Sequence, residues 1–381
     1  MPILNLVKQG LVRALRAAGY TLVRIPAGKS PADLTARGAA PVGAALFAAA
    51  APDLVTAAPR VSTADRFAEI DALLKLVAPW SGQVPEGYVA DFLGILTDGT
   101  FLWNRKGPFP AHPLTTSLPT LETYGEAWFE VADWFYSVRE ARGAYVAISL
   151  GAAFGAQLVG AWKVLQAINP LPARLVAVEP VPKNCEWTRK HFAVNGIDPD
   201  RHWILEAALG VDNEPVLFPV GAPGTGLTAS AYTNSPQARS SYAEILADGR
   251  GAARALKNIL LYNSTGLTHE LGLGYEGELK FVSAVTLRDV LAPFERVDLL
   301  EVDIQQAEVQ VIAPCMHAVN RKVRRVHIGT HGREVHDTLR HLFAAAAWEI
   351  VFDYGPDTRH MTERGPLTIG DGILTARNPK V

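Results

Sequence analysis

The chain has 381 residues, of which 49% are hydrophobic and 19% charged, and its 36 Lys and Arg nearly balance 38 Asp and Glu. This length and apolar content exclude a globally disordered chain and suit one large domain with an appendage, or two domains. A formal charge of −2 offers no basic excess for neutralising phosphates, so the composition points away from nucleic acid and toward a small or neutral partner.

Met1–Tyr20 carries Lys8, Arg13 and Arg16 inside an apolar pattern of helical spacing. It lacks the continuous apolar stretch of a secretory signal and predicts a helix packed on its own protein. Residues 28–60, rich in Ala, Pro and Gly, predict a loose connection, and Ala39–Ala51 is too short to span a bilayer. The two cysteines, Cys185 and Cys315, lie far apart. They exclude a thiolate zinc site and a disulfide framework, and the expected location is the cytoplasm.

Ser62–Val77 predicts a helix with Phe67, Ile70, Leu73, Leu74 and Leu76 on its apolar face. Tyr88–Trp103 and Pro108–Pro119 mix aromatics with turn residues and predict short strands and loops. Glu122–Glu140 is again helical, its Trp128, Phe129, Trp134 and Phe135 expected to pack rather than to form a platform for an acceptor. Beyond Arg142, apolar runs at Tyr145–Leu150, Leu175–Val178, Trp203–Ala207, Val297–Val302, Val323–Ile328, Glu349–Asp353 and Gly372–Ala376 alternate with helical patterns. The helical ones are Gln157–Ile168, Asn184–Asn195, Gln306–Ile312 and Glu334–Ala346, with a long irregular stretch to about residue 280. This alternation predicts an α/β fold, a doubly wound and mostly parallel sheet covered on both faces.

Such sheets bind ligands beyond the carboxyl ends of their strands, at the switch point beside the first strand. The loop there is Ser149-Leu150-Gly151-Ala152-Ala153-Phe154-Gly155. Gly151 permits a tight turn and a close backbone approach, and Gly155 lets the following helix pack near the strand. The spacing is GxxxG, not the GxGxxG that seats a pyrophosphate on a helix N-terminus. The second strand ends in Glu179-Pro180, and a carboxylate there can accept hydrogen bonds from both ribose hydroxyls of an adenosine, a role that the upstream loop favours over a helix-capping or surface carboxylate. Glu206 and the backbone of Ala207, ending the third strand, fall where an adenine would lie. This series describes an S-adenosylmethionine pocket better than a nicotinamide one.

The segments Leu150-Gly151-Ala152…Gly155, Val178-Glu179-Pro180-Val181-Pro182-Lys183-Asn184, His191-Phe192…Asn195-Gly196-Ile197 and Ala207-Ala208-Leu209-Gly210 resemble the FkbM family of S-adenosylmethionine-dependent O-methyltransferases. In the second half, Val285-Thr286-Leu287-Arg288-Asp289-Val290-Leu291 and Asp298-Leu299-Leu300-Glu301-Val302-Asp303-Ile304-Gln305-Gln306-Ala307-Glu308 resemble that family's "TLDDLL…DLLKIDVEGAE" signature. The resemblance covers about 140–376. It implies a class I methyltransferase domain over 131–381, preceded by an α+β extension over 1–130 that shapes the acceptor site.

The resemblance further implies methyl transfer to a hydroxyl of a saccharide or glycan, or of a natural product, with Ser149 at the methionine end of the cofactor. In line with that chemistry, His331 suits a general base because its ordinary pKa lies near neutrality, with Asp303 to orient it or to hold a hydroxyl. A divalent metal held by Asp303 and His331 is the less favoured arrangement, and no metal is expected. The chain departs from the family at three places: Ser149 stands where an acid is usual, Gln305-Gln306 where Glu-Gly is usual, and Gly329-Thr330-His331 where Glu-x-His is usual. Those departures support the alternative of a catalytically degenerate binding scaffold. An NAD-dependent oxidoreductase is disfavoured by the GxxxG spacing and the lack of a Tyr-x-x-x-Lys pair after the fourth strand. Gly221–Thr228 mimics a phosphate-binding loop but has Leu227 at the lysine position, and His331…His336 lacks HExxH spacing. Arg321-Lys322…Arg324-Arg325 is expected to be a solvated edge.

Overall fold

Residues are described for 63–102, 107–213, 216–221, 277–305 and 307–381 in a computed structural model. The expectations for 1–62, for the loop following Gly221 and for Gln306 lie outside them.

Helix α1 (Thr63–Leu74) buries Phe67, Ile70, Leu73 and Leu74, a spacing that keeps all four on one face. Strands β1 (Ser81–Val84), β2 (Tyr88–Ala90), β3 (Leu96–Asp98) and β4 (His112–Thr115) follow, with β1 paired to β4 and β2 to β3, both antiparallel. The single helix expected over Glu122–Glu140 is two, α2 (Leu121–Tyr124) and α3 (Ala127–Glu140). Thr120 caps the first with a capping box, and Gly125 at φ +55° breaks the chain between them.

Strand β5 (Tyr145–Leu150), helix α4 (Ala156–Ile168), β6 (Ala173–Glu179), α5 (Pro182–Val194) and β7 (Trp203–Glu206) form successive strand–helix–strand units of the parallel half. The short strands β8 (Ala208–Gly210), β9 (Val216–Gly221), β10 (Gly277–Val282) and β11 (Ala284–Thr286) come next, with β9 paired to β10 and β8 to β11. Then follow α6 (Leu287–Leu291), β12 (Leu299–Val302), α7 (Glu308–Ile312), α8 (Met316–Lys322), β13 (Arg325–Thr330), α9 (Arg333–Ala345), β14 (Glu349–Tyr354), a hairpin of β15 (Thr358–Thr362) and β16 (Gly365–Ile369), and β17 (Gly372–Arg377).

Seven strands join in one sheet in the order β14-β17-β13-β12-β5-β6-β7. Those from β13 to β7 are parallel, and β17 runs antiparallel between β13 and β14. The chain runs outward from β5 on one side and then returns to β12 on the other, which makes the carboxyl end of β5 the switch point. This is the class I methyltransferase architecture.

The two faces follow from the period of two along each strand. Tyr145, Ala147, Leu175, Ala177 and Leu299 enter a core shared with α1, α3 and α4. Ile148, Leu150, Val176, Val178, Leu300 and Val302 enter the opposite core, shared with α6, α8 and α9. Burial on both faces explains why β5 and β6 read as unbroken apolar runs. Trp128, Phe129, Trp134 and Phe135 are buried in the first core, as the helical spacing led us to expect.

One expectation about the surface is overturned. Arg325 is only 2% exposed, so the basic cluster around it is not wholly a solvated edge. Its odd position on β13 turns it under α3, where its guanidinium donates to Asp133 at 3.0 Å and lies 4.6 Å from the Tyr136 ring centroid. His327, two residues on, donates from Nδ1 to the other Asp133 oxygen at 2.9 Å. The carboxylate outweighs burial, which alone would lower the His327 pKa, and holds it above its ordinary value.

The β2–β3 hairpin docks on α5. Asn195 accepts from the Leu96 N–H and donates to its carbonyl, both at 2.9 Å, and Lys190 pairs with Asp98. Phe101 stacks 4.7 Å from Trp187 and 5.4 Å from Phe154. Residues well before the sheet thereby brace the glycine loop.

Candidate active site at the carboxyl ends of the central strands

A cleft opens at the switch point. Its floor is Ser149, Gly151 and the loop through Ala156, and its sides include Glu179, Asn184, Glu301 and Asp303. Ala208, Leu209 and Phe218 supply an apolar wall.

Backbone hydrogen bonds set the loop. Gly151 and Ala152 both donate to the Val178 carbonyl, at 2.9 and 3.2 Å, and Asp303 donates to Leu150 at 2.9 Å. Gly151 has φ +80°, and a Cβ on it would lie 1.9 Å from the Asp303 carbonyl oxygen. Glycine is therefore required twice here, for its torsion and for the approach of two strand ends. Gly155, at φ +77°, faces Thr188 and Phe192 of α5, where a Cβ would meet Thr188 at 2.9 Å. It serves the packing of the loop on that helix.

Glu179 holds the loop to the second strand. One oxygen accepts from Ala153 N–H at 2.9 Å, and the other from Val181 N–H at 2.9 Å and Asn184 Nδ2 at 3.2 Å. Burial nevertheless pushes it up to about 7 against those three donors, with Asp303 adding to the rise. Each carboxylate oxygen has two lone pairs, so the oxygen bonded to Ala153 retains acceptor capacity for a hydroxyl. Glu206 is the rung partner of Glu179 but is exposed and does not line the cleft. The Ala207 N–H is taken by the Glu179 carbonyl at 3.1 Å, and the adjoining wall is built by Ala208 and Leu209 instead.

Asp303 and His331 do come together. His331 Nδ1 lies 2.8 Å from Glu308 Oε1, and Nε2 lies 3.4 Å from Asp303 and 3.8 Å from Asp371. Burial alone would lower the His331 pKa, but the Glu308 hydrogen bond and the charges of Asp303, Glu308 and Asp371 raise it to about 9. Asp303 keeps a side chain 49% exposed toward the mouth. Burial at the strand end pushes its carboxyl up to about 6 and His331 opposes that rise, while Gln305 Nε2 donates to it at 3.2 Å. His336 bonds Thr330 and Asp353, each at 2.8 Å, which is a structural assignment. Among the described residues no group of three His, Cys, Asp or Glu is arranged to hold a metal ion.

Inspection of the strands alone passed over Glu301 and Glu308 as acting groups, although both stood inside the quoted motif. Their signal was chemical: a carboxylate within an apolar run demands a partner. Glu308 is fully buried against His331, and Glu301 is bonded by the Ser149 hydroxyl on the neighbouring strand.

Residues 161–347 match the model of the methyltransferase FkbM domain. Over that stretch the chain is similar to the FkbM methyltransferase domain. A protein of Jannaschia sp. (strain CCS1) named "Putative methyltransferase" is 24% identical over 303 residues, covering 77% of this chain and 93% of its own. Among solved structures, methyltransferase FkbM from Methylobacillus flagellatus KT is similar at a TM-score of 0.34 and 10% identity, over 66% of this chain and 53% of that one. The precorrin-6y C5,15-methyltransferase of Geobacter metallireducens GS-15 is similar at 0.32 and 9%, over 65% and 86%. No helix among the described residues of the chain is long and apolar enough to cross a membrane.

The His331 cluster makes a stability prediction for this domain. Its folded pKa of about 9 exceeds the ordinary 6.5, so its contribution is complete below 6.5 and disappears as pH rises through 9. The shift corresponds to on the order of 3 kcal/mol. Urea unfolding should show wild type exceeding H331Q by roughly that amount at pH 6, with the pH-dependent part of the gap closing by about pH 9. A gap that does not vary with pH would mean that His331 is neutral in the fold.

Proposed function

We propose that the chain is an S-adenosylmethionine-dependent O-methyltransferase acting on a hydroxyl of a saccharide or natural product, with the glycan the preferred class. The observation that carries this reading is the pairing of buried His331 with Asp303, which lines a cleft whose floor, at Gly151, admits backbone only. Glu179 would hold the ribose, and Ala208, Leu209 and Phe218 would flank the base. When bound, S-adenosylmethionine supplies an electrophilic sulfonium methyl. The degenerate-scaffold alternative rests on Ser149 and on Gln305, and the acid–base pair beside them favours turnover.

An acceptor hydroxyl must lose its proton as its oxygen becomes alkylated. His331, held as imidazolium up to about pH 9, is a poor acceptor of that proton at neutrality, which changes the part expected of it. Asp303, with its pKa near 6 and its side chain open to the mouth, is ionised there and takes the proton. The imidazolium fixes the Asp303 carboxylate and balances Glu308 and Asp371.

Calorimetric titration with S-adenosylmethionine, S-adenosylhomocysteine and NAD tests the cofactor, and a panel of glycans and polyketide-type alcohols tests the acceptor through release of S-adenosylhomocysteine. Binding of NAD alone would refute this reading. With an accepted alcohol, kcat should rise through about pH 6 and fall above about pH 9, as Asp303 loses and His331 loses a proton. D303N should lower kcat by about a hundredfold to ten-thousandfold while binding S-adenosylhomocysteine within a few-fold of wild type. Parallel loss of affinity would instead place Asp303 in cofactor binding.

A further inference from the structure

Ser149 and Glu301 are rung partners on β5 and β12. Both lie at odd positions, on the face covered by α3 and α4, and both line the cleft. The Ser149 hydroxyl donates to Glu301 Oε2, and Glu301 Oε1 is left for another donor. Glu301 is only 7% exposed. Among the described residues no Lys, Arg or His forms an ion pair with it.

A carboxyl so placed carries a cost. It is removed from water, and burial first and the like charge of Asp303 second drive its pKa well above the ordinary value. A cation brought by a ligand would remove that cost. The family signature has Lys at the rung position where this chain has Glu301, and an acid where this chain has Ser149. The acid thus stands on the other strand of the same rung, with no cation opposite it, so an acid remains at the same corner of the cleft.

We propose that Glu301 receives the α-ammonium group of S-adenosylmethionine, doing from β12 what an acid at position 149 would do from β5. This rests on the reading of the cleft as a cofactor site. Ser149 is then a positioning residue, which turns the Glu301 carboxyl toward the cleft.

The test compares S-adenosylhomocysteine with its analogue lacking only the α-amino group, by calorimetry. Wild type should prefer the amine by about tenfold to a hundredfold, the worth of a hydrogen bond between charged groups. E301Q keeps the volume and the bond from Ser149. It should lose that preference while binding the deaminated analogue as wild type does, which also shows that it is folded. The double variant S149D/E301Q returns the acid to β5 and should regain most of the preference. Equal preference in wild type and E301Q, no preference in wild type, or a double variant as indifferent as E301Q would each overturn the assignment. Failure of wild type to bind either compound would instead overturn the cofactor reading beneath it.

Discussion

Replacing Gly151 with alanine is expected to abolish cofactor binding and to cost the fold about 2–5 kcal/mol, the sum of a left-handed torsion and a backbone clash. The clash is the larger part. The new Cβ would lie 1.9 Å from the Asp303 carbonyl oxygen, which belongs to backbone and cannot rotate away. Both partners are pinned, Gly151 N–H to Val178 and Asp303 N–H to Leu150, each at 2.9 Å. Relief must therefore come from parting β5 and β12, the two strands whose ends build the cleft. Gly87, at φ +86° with open space around a Cβ, supplies the control: G87A bears the torsion alone and should cost only about 1–2 kcal/mol. Denaturant unfolding and titration with S-adenosylhomocysteine check both effects. G151A and G87A of equal stability, with G151A still binding, would show that the strand ends give way freely.

Removing the carboxylate of Asp133 is the second large effect. It accepts from Arg325 at 3.0 Å and from His327 at 2.9 Å while 1% exposed. D133A leaves the buried Arg325 guanidinium with Glu140, at 3.4 Å, as its remaining carboxylate, and takes the acceptor from His327 Nδ1. The expected loss is about 3–5 kcal/mol. An apolar replacement of the whole group, D133L/R325M/H327L, should recover most of that loss, because an uncompensated charge costs more than the absence of a pair. If D133A melts within a degree or two of wild type, water reaches this layer and the Arg325 guanidinium is not truly buried.

Much of the sheet was legible because its strands are buried on both sides. Tyr145–Leu150 reads as one apolar run and is β5 to the residue, and Glu349–Asp353 differs from β14 by one. The failures share a physical cause, since each depended on contacts distant in sequence. Gly125 looks like any helical glycine until its φ of +55° is seen. Arg325 reads as surface until Asp133, from another element, is placed against it.

Within the site, residues constrained by the local chain were readable and those constrained across strands were not. Gly151 and Glu179 belong to short motifs whose turns dictate them. Glu301 is given its meaning by Ser149, 152 residues away. The charge on His331 is set by Glu308 and Asp303, from the segment after β12, and by Asp371, just before β17, and no pattern around the histidine itself announces it.

The reversed direction of β17 has an architectural consequence. Six strands, β14 included, deliver their exits to the cleft side of the sheet, whereas β17 delivers its entrance there, bringing Asp371 to His331. Everything between Tyr354 and Gly372, including the β15–β16 hairpin, is thus an excursion that leaves and rejoins the sheet on that one side. Residues can be inserted in or deleted from it without shifting a single rung of the ladder. This excursion and the floor of the cleft are in this sense separately editable.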